Sequence, residues 1–146
     1  MSSRRTSILK ALAEKFKEID GTNGYQINLY NNSYPKLKFW DEINDFPSVY
    51  MSPGMETREY LPADFSWGFL NVCIKAYVKG EEAADELELL LADLEKCIDS
   101  NRELIYDQGN NYSTTEILIQ SITTDEGLLA PYGVGEININ IRYQIN

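Results

Sequence analysis

The sequence predicts an α+β fold: a mainly antiparallel sheet with two amphipathic helices packed on it, in a single domain spanning residues 1–146. Three observations carry this expectation. Residues 65–79, FSWGFLNVCIKAYVK, place Leu70, Val72, Ile74, Ala76 and Val78 on one face with a period of two. Beyond Gly80, Ala84, Leu87, Leu90, Leu91, Leu94, Cys97 and Ile98 recur at three- and four-residue steps, which makes one helical stripe. Near the C-terminus, Ile137, Ile139, Ile141, Tyr143 and Ile145 alternate with polar residues, the pattern of a half-buried antiparallel strand.

The elements follow in order. Ile8, Leu9, Leu12, Phe16 and Ile19 form the stripe of a first helix over 7–19, capped by Ser3 or Thr6, with Arg4 and Arg5 just ahead of it. Asp20-Gly21 and Asn23-Gly24 stop that helix. Residues 25–30, YQINLY, read as a short strand, and 31–47 as a turn-rich loop pinned by Tyr34, Phe39, Trp40 and Phe46. Residues 48–51 read as a second short strand, closed by a Pro53-Gly54 turn, and 55–61 as strand or extended loop. Pro62-Ala63-Asp64 breaks the chain before the long strand. The other face of that strand carries Trp67, Phe69, Asn71, Cys73, Lys75 and Tyr77, which places it inside the sheet. Glu81, Glu82 and Asp85 open the second helix, where the helix dipole favours negative charge. Residues 107–111 read as a loop, 116–123 as an interior strand, 124–127 as a turn and 128–133 as an apolar extended loop.

Composition narrows the function. A chain of 146 residues is long enough to bury a core without staples, and 43% hydrophobic with 25% charged residues is ordinary globular usage. A formal net charge of -10 argues against nucleic-acid binding through a basic surface, yet suits a wall that DNA slides past. The absence of histidine removes the commonest general acid–base, the commonest metal ligand and the Ser-His and Cys-His nucleophile pairs. Cys73 and Cys97 read as small core residues in a reducing compartment. No apolar run approaches the roughly 20 residues of a membrane span, and the N-terminus lacks a secretory pattern, so a cytoplasmic protein with no membrane partner is expected.

The motif search returns no chemistry. Gly133-Val134-Gly135 opens no helix and is no phosphate loop. Asp125 and Glu126 lack the alternating oxygen ligands of a calcium loop, and the acids from Glu81 to Glu88 suit a helix start with a solvated face. No catalytic residue, cofactor or metal site is expected, and the chain is not expected to be an enzyme.

The second half of the chain resembles the tail terminator (tail completion, neck ring) proteins of long-tailed bacteriophages. The resemblance rests on Tyr77-Val78-Lys79-Gly80 running into the acidic helix, on 121–127 (SITTDEG), on the Pro131 to Gly135 loop and on the closing Ile139 to Tyr143 strand. It implies a non-enzymatic structural virion protein that forms a ring, expected to be a hexamer. Such a ring terminates the tail tube and joins it to the head connector or stopper protein. The resemblance further implies contact with the tail tube protein, with the sheath if the tail contracts, and passage of genome DNA without specific binding. The protein would assemble in the host cytoplasm and reside in the tail or neck of the virion. The alternatives are another head–tail joining protein, a tube-like protein, or an α+β domain binding a small molecule through its aromatic loops. A tube subunit should carry a long hairpin, and none stands out in the sequence.

Tyrosine combines apolar area with a hydrogen-bonding tip, and rings off the clear core faces suit interfaces. Candidate subunit or tube contacts are Arg4 and Arg5 ahead of the first helix, and Tyr50, Tyr60, Tyr112, Leu128, Leu129 and Tyr132 in the segments 31–64, 107–115 and 128–133.

Overall fold

The computed structural model describes residues 3–145. Helix α1 (Arg4–Phe16) starts earlier than its stripe suggests because the Ser3 side chain accepts the Thr6 N–H at 3.2 Å. Arg4 and Arg5 are therefore its first two residues rather than lying just ahead of it. The predicted strand over 25–30 does not form. The N–H groups of Gln26 and Ile27 go instead to the carboxylate of Asp93, at 2.8–3.1 Å. Tyr30 and Asn31 then take positive φ, which ends any extended run.

Residues 32–47 form a strap that begins as the two-residue strand β1 (Ser33–Tyr34) and includes a one-turn 3-10 helix, Trp40–Glu42. Strand β2 (Ser48–Leu61) is continuous. The expected Pro53-Gly54 turn is a β-bulge, with the register shifting between Pro53 and Glu56. A bulge accommodates the missing proline N–H without ending the ladder. The true turn is at Pro62-Ala63-Asp64, where Ala63 and Asp64 have positive φ. Strand β3 (Phe65–Lys79) follows, so β2 and β3 form a long hairpin of 14 and 15 residues that the sequence reading missed.

Gly80, at φ +148°, turns the chain into helix α2 (Ala83–Ser100). Strand β4 (Ile105–Asp107) was not foreseen and ends on the first residue of the expected loop, and β5 (Tyr112–Thr124) is longer than its apolar run. Strand β6 (Tyr132–Gln144) begins inside the segment expected to be extended loop.

The sheet order is β1-β2-β3-β6-β5-β4. All pairings are antiparallel except β1 with β2. One face holds the core. Leu70, Val72, Ile74, Ala76 and Val78 of β3 and Ile137, Ile139 and Ile141 of β6 are buried there. They cluster with Ile8, Leu12 and Phe16 of α1 and Leu87, Leu90, Leu91, Leu94 and Ile98 of α2. A second, smaller cluster lies on the opposite face, where the strap lays Ile43, Tyr34 and Phe46 against Tyr50, Tyr77 and Val134. Cys73 is on that opposite face, only partly buried, whereas Cys97 is in the core, and both are free thiols.

Candidate assembly surfaces

Three surfaces remain once the core is closed. The first is the sheet face opposite the helices, which the strap covers at one end only. In its open part the Asn140 amide donates to Asn71 Oδ1 at 3.1 Å, and Asn138 reaches Ser121 Oγ at 3.2 Å. This open part carries an ion pair and a cation held over a ring. Lys75 Nζ lies 2.9 Å from Glu136 Oε2, and the Arg142 guanidinium sits 4.1 Å above the Trp67 ring. The hydrogen bond from Lys75 holds the Glu136 carboxyl below its ordinary range.

The second surface is a pair of sheet edges. β1 pairs with β2 only at Val49 and Tyr50, and the Met51 N–H then goes to the Lys36 carbonyl at 3.1 Å. From Ser52 to Leu61, no strand among the described residues pairs with the outer edge of β2. At the other end of the order, β4 covers β5 only at Tyr112 and Ser113. The outer edge of β5 from Thr115 to Thr124 is likewise unpaired among the described residues, so β5 is largely an edge strand and not the interior strand expected. Unpaired edges present rows of N–H and C=O groups ready to join another strand.

The third surface is the strap, an aromatic network. Tyr34 and Tyr50 donate to the two oxygens of Asp45 at 2.8 and 3.2 Å, and Tyr77 donates to the Lys38 carbonyl at 2.6 Å. Trp40 packs edge-on against Tyr132 at 5.4 Å. Leu37, Phe39 and Trp40 nevertheless remain exposed, which sequence reasoning passed over when it assigned such rings to pinning the loop.

The predicted contact residues divide sharply. Tyr60 and Leu128 are 72% and 84% exposed, the one on the β2 edge and the other in the β5–β6 turn. Leu129 and Tyr132 are half-buried near that same turn, and Lys79 lies 5.1 Å over the Tyr132 ring. Tyr50 is 2% exposed and committed to the strap. Arg4 donates to the Gln144 carbonyl at 2.9 Å and to that of Ile145, and stacks 4.5 Å above Tyr112. Arg5 donates to the Gly54 carbonyl at 2.6 Å and approaches Glu56 at 4.0 Å. The two arginines thus tie α1 to the sheet, and the structure does not bring the eight residues into one patch.

One recess, of about 400 Å³, is lined by Arg4, Tyr106, Tyr112, Ser113 and Gln144 among others, and the Arg4 guanidinium already serves backbone carbonyls. No group of three His, Cys, Asp or Glu residues gathers to hold a metal among the described residues. No helix among them is long and apolar enough to cross a membrane.

Residues 2–146 match the family model described as bacteriophage tail tube terminator protein. The chain is 41% identical over 150 residues to the tail tube terminator protein p142 of Escherichia phage T5, covering 96% of this chain and 93% of that protein. In fold it is similar, at a TM-score of 0.63 and 9% identity, to a chain from the virion of a native gene transfer agent particle, with 99% of each chain covered.

Proposed function

The chain belongs to the bacteriophage tail tube terminator family, and on that premise we propose that it is a structural virion protein whose copies form a ring closing the tail tube. We read the 146 residues as one terminator domain and the ring as a hexamer, seated between the tube and the head connector. It works by surface complementarity and not by catalysis. It assembles in the host cytoplasm and stays in the virion tail, with the sheath as a further partner if the tail contracts.

The observation that supports self-assembly is the pair of open edges. β2 and β6 run one way and β3 and β5 the other, because each long pair is antiparallel. A β2 edge laid beside the β5 edge of a second copy is therefore antiparallel too, and the alternation continues through the junction. Joining two different edges is a heterologous contact, which closes into a ring when the rotation per copy permits. The net charge of -10 suits a conduit from which DNA phosphates are repelled.

Negative-stain microscopy of the purified protein, alone and mixed with tail tubes, tests this reading. Six-fold rings, or a cap confined to one tube end, are expected. Monomers that ignore tubes at tens of micromolar, where large interfaces normally form, overturn it.

A further inference from the structure

We propose that copies of this chain join through a leucine contact on the sheet face opposite the helices: Leu61 of one copy seats between Leu118 and Ile105 of the next. This inference rests on the ring reading and adds the residues that set the register of its joints.

The two open edges differ in how they are protected. Residues 115–124, TEILIQSITT, carry one charged residue, Glu116, and no lysine, proline or glycine. An exposed edge of that composition lacks the devices that keep strands from pairing with a second chain, so it calls for a cover. The β2 edge holds Pro53 at its bulge, followed by Glu56, Arg58 and Glu59, which disfavours pairing with another β2 edge. The open stretches Ser52–Leu61 and Thr115–Thr124 are of equal length, so the β2 edge of one copy can cover the β5 edge of the next from end to end. What stops each opening fixes the ends of that joint. The strap closes the β2 edge up to Met51, and the turn at residues 62–64 closes it after Leu61. β4 closes the β5 edge before Thr115. An antiparallel joint therefore brings Leu61 of one copy to the β4 end of the next copy's β5.

The three side chains share a face. Leu61 pairs with Phe65, which stands an odd number of residues before the core residue Leu70 and so points away from the helices. Leu118 lies between Ile117 and Ile119, which pack in the core, and pairs with Asn140 on the open face. Ile105 pairs with Ser113, the neighbour of buried Thr114, while the adjacent Tyr106 packs against Tyr143 of the core, so Ile105 is on the open face too. The register that keeps faces matched sets Leu61 opposite Glu116, with Leu118 as its diagonal neighbour. Long side chains on one face reach that far. In the single copy Leu61, Leu118 and Ile105 are 41%, 45% and 50% exposed. Phe65 and Trp67, in edge contact at 5.0 Å, extend the apolar area beside Leu61.

The test is cross-linking of the whole chain by a short bis-maleimide, alone and on tail tubes, in a Cys73→Ser background where the remaining Cys97 is buried. Within one copy β3 and β6 separate Leu61 from Leu118 by three strand spacings, about 14 Å, beyond the arm of such a reagent. Leu61→Cys with Leu118→Cys should therefore link only between copies and give a ladder of covalent oligomers on a denaturing gel. Tyr60 pairs with Ser66 on the helix side of the sheet, so Tyr60→Cys with Leu118→Cys should give none. Leu61→Asp, shown to be folded by circular dichroism, should lower the ring population in mass photometry at least about tenfold, because a leucine loses its cover at every joint. Folded Leu61→Asp chains that form rings as the wild type does, or rings in which the Leu61 and Leu118 positions stay unlinked, reject this contact and leave the ring. Dimers as the end product of Leu118→Cys alone mark two β5 edges paired with each other and reject it as well. A wild-type chain that forms no ring, alone or on tubes, removes the ring reading and this contact together.

Discussion

The Tyr143 hydroxyl donates to Glu56 Oε1 at 2.7 Å, from β6 to β2 across the whole width of β3. The ring makes that reach by lying over Gly68, its register partner, where an added Cβ would come within 2.8 Å of the ring. Glu56 sits at the bulge with its side chain 6% exposed, and also takes Arg58 at 3.0 Å and Arg5 at 4.0 Å. One carboxylate thus binds α1, β2 and β6 together beside the open β2 edge. Gly68→Ala should push the ring off this acceptor and destabilise the fold by about 1–3 kcal/mol, the usual range for overpacking. Tyr143→Phe should lose about 1–2 kcal/mol through the lost hydrogen bond alone. Urea unfolding of both variants and of the double variant checks this. Additive losses would show that Gly68 and Tyr143 are not coupled.

Asp93 is 3% exposed on α2, and its carboxylate accepts the N–H groups of Gln26 and Ile27. These bonds are why residues 25–30 follow the helix instead of joining the sheet. Asp93→Ala leaves two donors without their acceptor and should cost about 2–4 kcal/mol, from roughly 1–3 for each unsatisfied group less what water recovers. Native-state hydrogen exchange gives the sharper readout. The amides of Gln26 and Ile27 should exchange far faster in the variant, while those of β3 should follow only the global loss.

The extent to which the sequence foretold this structure follows the range of the interactions involved. β3, α2 and β6 were legible because each buries one face against a whole layer, which imposes a clean period. β2 was not, since its Pro53-Gly54 pair looks the same whether it makes a turn or a bulge. β4 and the strap are held by a few backbone bonds and by contacts between rings distant in sequence, which leave no periodic trace. The same distinction divides the candidate contacts. Tyr60 is exposed as its local setting suggests, whereas Tyr50 is hidden by Tyr34 and Asp45, about a loop-length away.

Tyrosines set the alkaline limit of the fold. Burial comes first among the causes that raise Tyr25, Tyr50 and Tyr143 well above the ordinary phenol range, and it pushes Tyr77 up to about 12. A group whose folded pKa is raised contributes stability that is complete below its unfolded value, here 10.0, and is lost as the pH climbs through the folded value. Stability should therefore hold to about pH 10 and fall steeply above it. Tyr77→Phe should make that fall shallower. Glu136 acts in the opposite sense at the acid end. Its lowered pKa gives stability that is present above its ordinary 4.5 and is lost as the pH drops through the lowered value. Thermal unfolding across pH measures both limbs, and an unchanged alkaline slope in Tyr77→Phe would count against the first.

The thiols provide a local test of the open sheet face. Cys73 donates to Glu136 Oε1 at 3.2 Å, and burial together with that carboxylate pushes its pKa up to about 11. The thiolate is the reactive species, so near neutral pH Cys73 should react with a disulfide reagent about a hundredfold more slowly than an ordinary exposed cysteine. Cys97, fully buried in the core and raised mainly by burial, should react only on unfolding. Replacing Glu136 with Gln removes the negative charge that opposes ionisation at Cys73 and should speed its labelling, with Cys97 as the internal control. Equal rates in the two proteins would show that burial alone governs Cys73. Ring assembly offers a second comparison on the same thiol: an interface that covers this face slows the labelling of Cys73, while one confined to the sheet edges leaves it unchanged.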